Sequence, residues 1–145
     1  MGVSTGELAN ILKSANDIKV FLQENELSIT NPTLSEHLKK LLSLKGLRRQ
    51  DVIEDTALDI NYINQLFNGI KKKPSRNQIL SLSFGFRLDN EETARLLKIA
   101  GVGALYPKNK RDAVIIHSLE TGKSIVQTND ILSSLKLETL SDNRK

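Results

Sequence analysis

The sequence predicts an all-α protein, and three observations carry that expectation. Capping boxes, in which a short oxygen side chain closes the first turn and an acid or amide reaches back, stand at Ser4/Glu7, Thr33/Glu36, Ser75/Gln78 and Asp89/Glu92. Glycines mark the other ends. Gly46, Gly69, Gly101 and Gly122 each follow a periodic segment, where a left-handed residue satisfies dangling carbonyls. Between these marks apolar residues recur at helical spacing, and Pro32, Pro74 and Pro107 all fall in the proposed connections.

The first segment carries Leu8, Ile11, Leu12, Ala15, Ile18 and Leu22, and the second Leu34, Leu38, Leu41 and Leu42. Both read as amphipathic helices. Three short helices are expected around Val52, Ile53 and Leu58, around Ile63, Leu66 and Phe67, and around Ile79, Leu80, Leu82 and Phe84. Leu96, Leu97 and Ile99 mark a further helix, and two more are expected over about 109 to 121 and 124 to 137. "AVII" at 113 to 116 has strand composition, but its flanks, Asp112 and His117 to Glu120, favour helix. The expected divisions are an N-terminal helical arm over 1 to 31, a core over 32 to 100 and a helical extension over 101 to 145.

Composition narrows the function. The 145 residues include no cysteine, which removes disulfides, thiolate zinc sites and thiol nucleophiles together and fits a reducing interior; the cytoplasm is the expected compartment. No apolar run approaches the roughly 20 residues of a membrane span. With Glu7 and Asn10 and no basic leader, the N-terminus is not expected to be a signal peptide. The net charge of +4 and a pI near 9.4 favour a polyanionic partner. Charge is concentrated at Lys71, Lys72, Lys73 and Arg76, and at Lys45, Arg48 and Arg49.

Residues 59 to 75, "DINYINQLFNGIKKKPS", place an amide-rich helix, a glycine stop and three lysines in succession. Two short helices over Leu47 to Leu66, with a tight turn near Ala57 to Asp59, have the order of a helix-turn-helix, which presents its second helix to the major groove. That second helix would begin near Ile60 or Asn61. Asn61, Tyr62, Asn64 and Gln65 take its outer positions, and Ile63, Leu66 and Phe67 its inner ones. An amide pairs bidentately with adenine, so this face suits base reading.

"NYINQLFNGIKKKPS" resembles the recognition helix and following loop of Cro/repressor-type helix-turn-helix proteins, the XRE family. The match extends outward without gaps. Leu47 falls on the family's leucine before helix two, Arg49 on its phosphate-binding glutamine, Val52 on a core position, and Ile63 and Leu66 on the buried side of the recognition helix. The family's usual base-contacting positions correspond to Ile60, Asn61 and Gln65. "PTLSEHLKKLLSLKGL", "KKPSRNQILSLSFGFRLDNEETARLLKIAGV" and "LYPKNKRDAVIIHSLETGKSIVQTNDIL" follow the order of stand-alone XRE-type bacterial proteins, so the resemblance covers nearly the whole chain. It implies a five-helix Cro/repressor-type core flanked by an N-terminal helix and a C-terminal helical extension, and a regulatory role on double-stranded DNA.

On that resemblance Asn61 and Gln65 are the foremost base readers, with Asn64 and Tyr62 beside them. Arg48, Arg49, Gln50, Lys71, Lys72, Lys73 and Arg76 are candidate DNA-backbone contacts. The departures are specific. Ile53 stands where helix two usually has a small residue, Ala57 replaces the turn glycine, Arg48 the Ser/Thr cap, Arg49 the glutamine and Ile60 a polar reader. Ile53 and Ala57 would widen the helix crossing, and Asp59, if it faced the DNA backbone, would repel it. These departures motivate a competing expectation, an interaction adaptor that kept the scaffold and binds a protein partner.

No enzyme, cofactor or metal is expected. His37 and His117 lack acidic partners at metal spacing. "TGKS" at 121 to 124 matches half of a phosphate-binding loop, but His117 stands where its first glycine is required. Leu105, Val114, Ile115, Leu119, Ile125, Val126, Ile131, Leu132 and Leu135 need burial, either on the core or in a homodimer. A dimer would set two recognition helices on half-sites roughly 34 Å apart.

Overall fold

The computed structural model describes residues 32 to 56, 58 to 71 and 73 to 140, and every regular element among them is helical. The expected N-terminal arm with its Ser4/Glu7 box, together with Ala57, Lys72 and residues 141 to 145, lies outside the described residues.

Helix α1 (Leu34–Lys45) starts at Thr33, whose hydroxyl accepts from the Glu36 N–H while the Glu36 carboxylate accepts from the Thr33 N–H at 2.9 Å. That backbone hydrogen bond holds the Glu36 carboxyl below the usual carboxylate range. Gly46, at φ 64°, ends the helix. Helix α2 (Arg49–Glu54) is a six-residue helix, C-capped by Asp55, and α3 (Ile60–Phe67) follows it in the chain. Asp59 caps α3: its carboxylate accepts from the N–H groups of Asn61 and Tyr62 at 3.0 and 3.2 Å.

Helix α4 (Arg76–Gly85), opened by the Ser75/Gln78 box, is the central element. Every residue from Ile79 to Gly85 is buried, as expected of a helix covered on all sides. Helix α2 approaches it closely at one point. A Cβ on Gly85 would overlap Thr56 Cγ2 and lie 3.0 Å from the Val52 carbonyl oxygen, so the packing of α2 on α4 requires glycine there.

Helix α5 (Asn90–Ala100) carries the Asp89/Glu92 box and ends at Gly101. Helix α6 (Lys110–Glu120) is capped by Asn109, and α7 (Ile125–Ser134) by a Ser124/Gln127 box. The last helix stops three residues short of the expected 137, because Lys136 turns left-handed (φ 60°) and the Leu137 N–H donates to Leu132 O at 2.8 Å.

The described residues share one hydrophobic core. Ile115, Leu119, Ile125, Leu132 and Leu140 join Leu38, Val52, Ile63, Leu66, Phe67, Ile79 and Leu96 in it, so much of the apolar surface after Gly101 is covered within the chain. Phe67 and Phe86 meet at its centre with ring centroids 6.2 Å apart. A C-terminal strap completes the packing. The Ser81 hydroxyl donates to Leu140 O at 3.1 Å, the Leu140 N–H to Asn129 Oδ1 at 2.7 Å, and Arg111 to the carbonyls of Glu138 and Thr139 at 2.7 and 3.1 Å.

Candidate nucleic-acid interface

The sequence of α3 divides it into two faces. Ile63, Leu66 and Phe67 are fully buried, and α3 packs chiefly on α1, where the Ser35 hydroxyl donates to the Phe67 carbonyl. Asn61 is exposed on the other side, whereas Tyr62, Asn64 and Gln65 are half-buried. Asn68, the exposed C-cap, extends this face. Positions 61, 64, 65 and 68 follow the i, i+3, i+4, i+7 rule, which lines four amide side chains along one stripe. Asn68 was not among the expected contacts, although its spacing from Asn61 and Asn64 is readable in the sequence.

At the N-terminus of the stripe Ile60 is 47% exposed, and beyond its C-terminus Ile70 is 67% exposed. Gly69 at φ 77° turns the chain there, and Lys71 and Lys73 follow on the surface. Asp59 spends its carboxylate on the α3 N-cap described above, so its position is set by the helix it starts.

Helix α2 brings its first residues to the same end of the molecule. Arg49 Nη1 donates to Asn64 Oδ1 at 3.1 Å, and the Arg49 Cζ lies 4.5 Å from the Phe67 ring centroid. Arg48 is exposed and pairs with Asp51 at 3.0 Å. Its backbone N–H also donates to the Asp51 carboxylate, at 2.8 Å. An arginine side chain has no acceptor, so this cap is one-sided, unlike the reciprocal Thr33/Glu36 box. The hydrogen bonds from Arg48 hold the Asp51 carboxyl below its ordinary range. Gln50 is exposed, with its Nε2 donating to Glu54 at 3.2 Å.

Two expected contacts are engaged elsewhere. The Tyr62 hydroxyl donates to Gln78 Oε1 at 2.7 Å, and its ring packs against the core, which makes Tyr62 an anchor between α3 and α4. Arg76 is held by partners far along the chain. Its guanidinium donates to both Asp112 oxygens at 3.1 and 2.7 Å, to Gly103 O at 3.0 Å and to Ala104 O at 2.8 Å. With these four bonds made, Arg76 fastens α4 to α6 and the preceding loop. Burial pushes the Asp112 carboxyl up, but the hydrogen bonds from Arg76 and the Tyr106 N–H, with the charges of Arg76 and Arg111, outweigh it and hold the carboxyl low.

A groove of about 430 Å³ lies apart from this face, lined by Asp55, Thr56, Phe84, Arg87, Lys123 and Ile125 among others. Among the described residues no group of three or more His, Asp or Glu side chains could hold a metal ion, and no helix is long and apolar enough to cross a membrane. His37 is buried and His117 exposed. No family model, curated protein or solved structure matches the chain.

Proposed function

We propose that this chain is a sequence-specific double-stranded DNA-binding protein and a bacterial transcriptional regulator, with α2 and α3 as a helix-turn-helix and α3 entering the major groove. The observation that carries this reading is the amide stripe Asn61, Asn64, Gln65 and Asn68, flanked by exposed cations at Arg48, Lys71 and Lys73. Amides carry a donor and an acceptor on one planar group, which matches base edges, while the cations bind phosphate without reading sequence. The XRE resemblance supports the same assignment. Asn61 and Gln65 read bases, Ile60 touches a thymine methyl, and Arg48, Arg49, Gln50 and Lys71 to Lys73 hold the backbone. The protein acts in the cytoplasm, without catalysis.

It acts as a homodimer on a pseudo-palindromic operator. Val126 and Leu135, 66% and 50% exposed on and just after α7, are apolar surface that such an interface would cover.

The test separates base reading from adhesion. Gln65→Ala relaxes preference at one base step and costs about 1 to 3 kcal/mol on the best site. Joint replacement of Lys71, Lys72 and Lys73 by alanine weakens all duplexes alike and flattens the salt slope by up to about 3. Wild-type levels of binding and preference in both would defeat these assignments. The exposure of Ile60 and Ile70 favours one alternative, a protein-interaction adaptor on the same scaffold, which predicts weak duplex binding without sequence preference.

A further inference from the structure

Arg49 links the two helices of the proposed DNA face in a way that fixes more than its own position. Phe67 beneath it is fully buried, so the guanidinium rests on a rigid aromatic platform 4.5 Å away, and from there Nη1 reaches Asn64 Oδ1 at 3.1 Å. A guanidinium donates and never accepts. The Asn64 amide must therefore turn its oxygen toward Arg49, which sends its Nδ2 the other way. Without such a partner, an amide can present either its oxygen or its NH2 group to a ligand.

We infer that Arg49 is a positioning residue that locks the Asn64 amide with its donor outward, so that Asn64 selects a hydrogen-bond acceptor on one major-groove base edge. This rests on the DNA-binding reading above. Guanine O6 and N7, adenine N7 and thymine O4 are acceptors there, whereas cytosine presents only an amino donor. The step facing Asn64 thus excludes cytosine on the contacted strand. Lysine in place of Arg49 would keep the charge for phosphate, but a compact ammonium on a flexible stem has neither the planar fork nor the stack that fixes the pose.

The decisive comparison uses the full chain with Arg49→Lys, Asn64→Ala and the double variant, each selected against a pool of duplexes randomised at single steps. The two single variants lose discrimination at the same step by about tenfold. The double loses no more than either, because residues acting as one unit are not additive. The salt slope of Arg49→Lys stays at the wild-type value, since the cation is retained.

A second readout needs no DNA. In ¹⁵N spectra the Asn64 side-chain amide is shifted and restrained in the wild type and moves to the position of a mobile amide in Arg49→Lys, with thermal unfolding checking the fold. Retention by Arg49→Lys of the preference that Asn64→Ala loses would overturn the inference, as would equal loss on all duplexes. A wild type without any base preference, but with the Asn64 amide still restrained through Arg49, would instead sink the DNA-binding reading and with it the base contact, leaving only the structural bond.

Discussion

Replacing Arg76 by alanine separates two roles that the position suggests, a contact to DNA and a clamp within the fold. The side chain makes four hydrogen bonds, two of them to Asp112, whose side chain is 8% exposed. Removing one partner of a buried ion pair costs about 3 to 5 kcal/mol, because the other charge is left without compensation. The Arg76 side chain is itself 29% exposed, and solvent screens part of the pair, so the lower end, about 3 kcal/mol, applies. Over a unit of this size that is a fall of about 10 °C in Tm.

The pH dependence has a defined sign. In the wild type the folded-state pKa of Asp112 lies below its unfolded value, so its contribution is present above about pH 4 and is lost as pH falls through the folded pKa. Without Arg76, burial acts with less opposition and raises that pKa. The deficit of the variant therefore narrows as pH drops toward 4. Urea unfolding at pH 7 and pH 4.5, with salt-dependent duplex binding on the same samples, reads all of this. A stability loss below about 1 kcal/mol, together with a salt slope flattened by about 1, would refute the clamp and restore Arg76 as a phosphate contact.

Other consequences of the packing can be measured in the same way. Gly85→Ala forces Thr56 and α2 away from α4 and should cost about 1 to 3 kcal/mol in urea unfolding; an unchanged midpoint would mean that α2 does not approach as described. His37 is 5% exposed with its Nε2 lacking a hydrogen-bond partner, and burial, with the charges of Arg95 and Lys40, depresses its pKa. Folding must then exclude a proton that the unfolded chain takes up, so stability falls as pH drops below about 6.5. His37→Gln should remove that slope between pH 7 and 5.5, and a slope equal to the wild type would assign it to another group. Gly101→Ala, at φ 75° with open space around its Cβ position, should cost about 1 kcal/mol through backbone strain alone, as seen in thermal unfolding.

The features legible in the sequence are local ones. Thr33/Glu36, Ser75/Gln78 and Asp89/Glu92 announce helix starts because each box closes within four residues, and Gly46, Gly69, Gly101 and Gly122 announce ends because each takes a positive φ. The start of α3 at Ile60 and its inner face follow from periodicity in the same way. The Ser124/Gln127 box is equally local, but its cap residue is the last of "TGKS", a stretch that also matches half of a phosphate-binding loop.

Illegible features depend on distant partners. Arg76 follows three lysines in sequence and shares their appearance, yet its bonds go to Gly103, Ala104 and Asp112, between 27 and 36 positions away. Tyr62 looks like a surface aromatic until Gln78 is brought beside it by the packing of α3 on its neighbours. The Arg49 to Asn64 bond and the stack on Phe67 require the relative setting of α2 and α3, which no spacing within either helix specifies. The strap to Leu140 has no periodic pattern at all; only its bonds to Ser81 and Asn129 reveal it.

The proposed sequence-specific DNA binding by α3 is tested most directly by incubating the purified chain with fragmented genomic DNA from its source at near-physiological salt, recovering the bound fragments and sequencing them. A dimer with two recognition helices should yield a sharply enriched motif with two-fold symmetry and half-sites about one helical turn apart. Uniform recovery that vanishes with modest added salt would contradict it and leave only electrostatic adhesion.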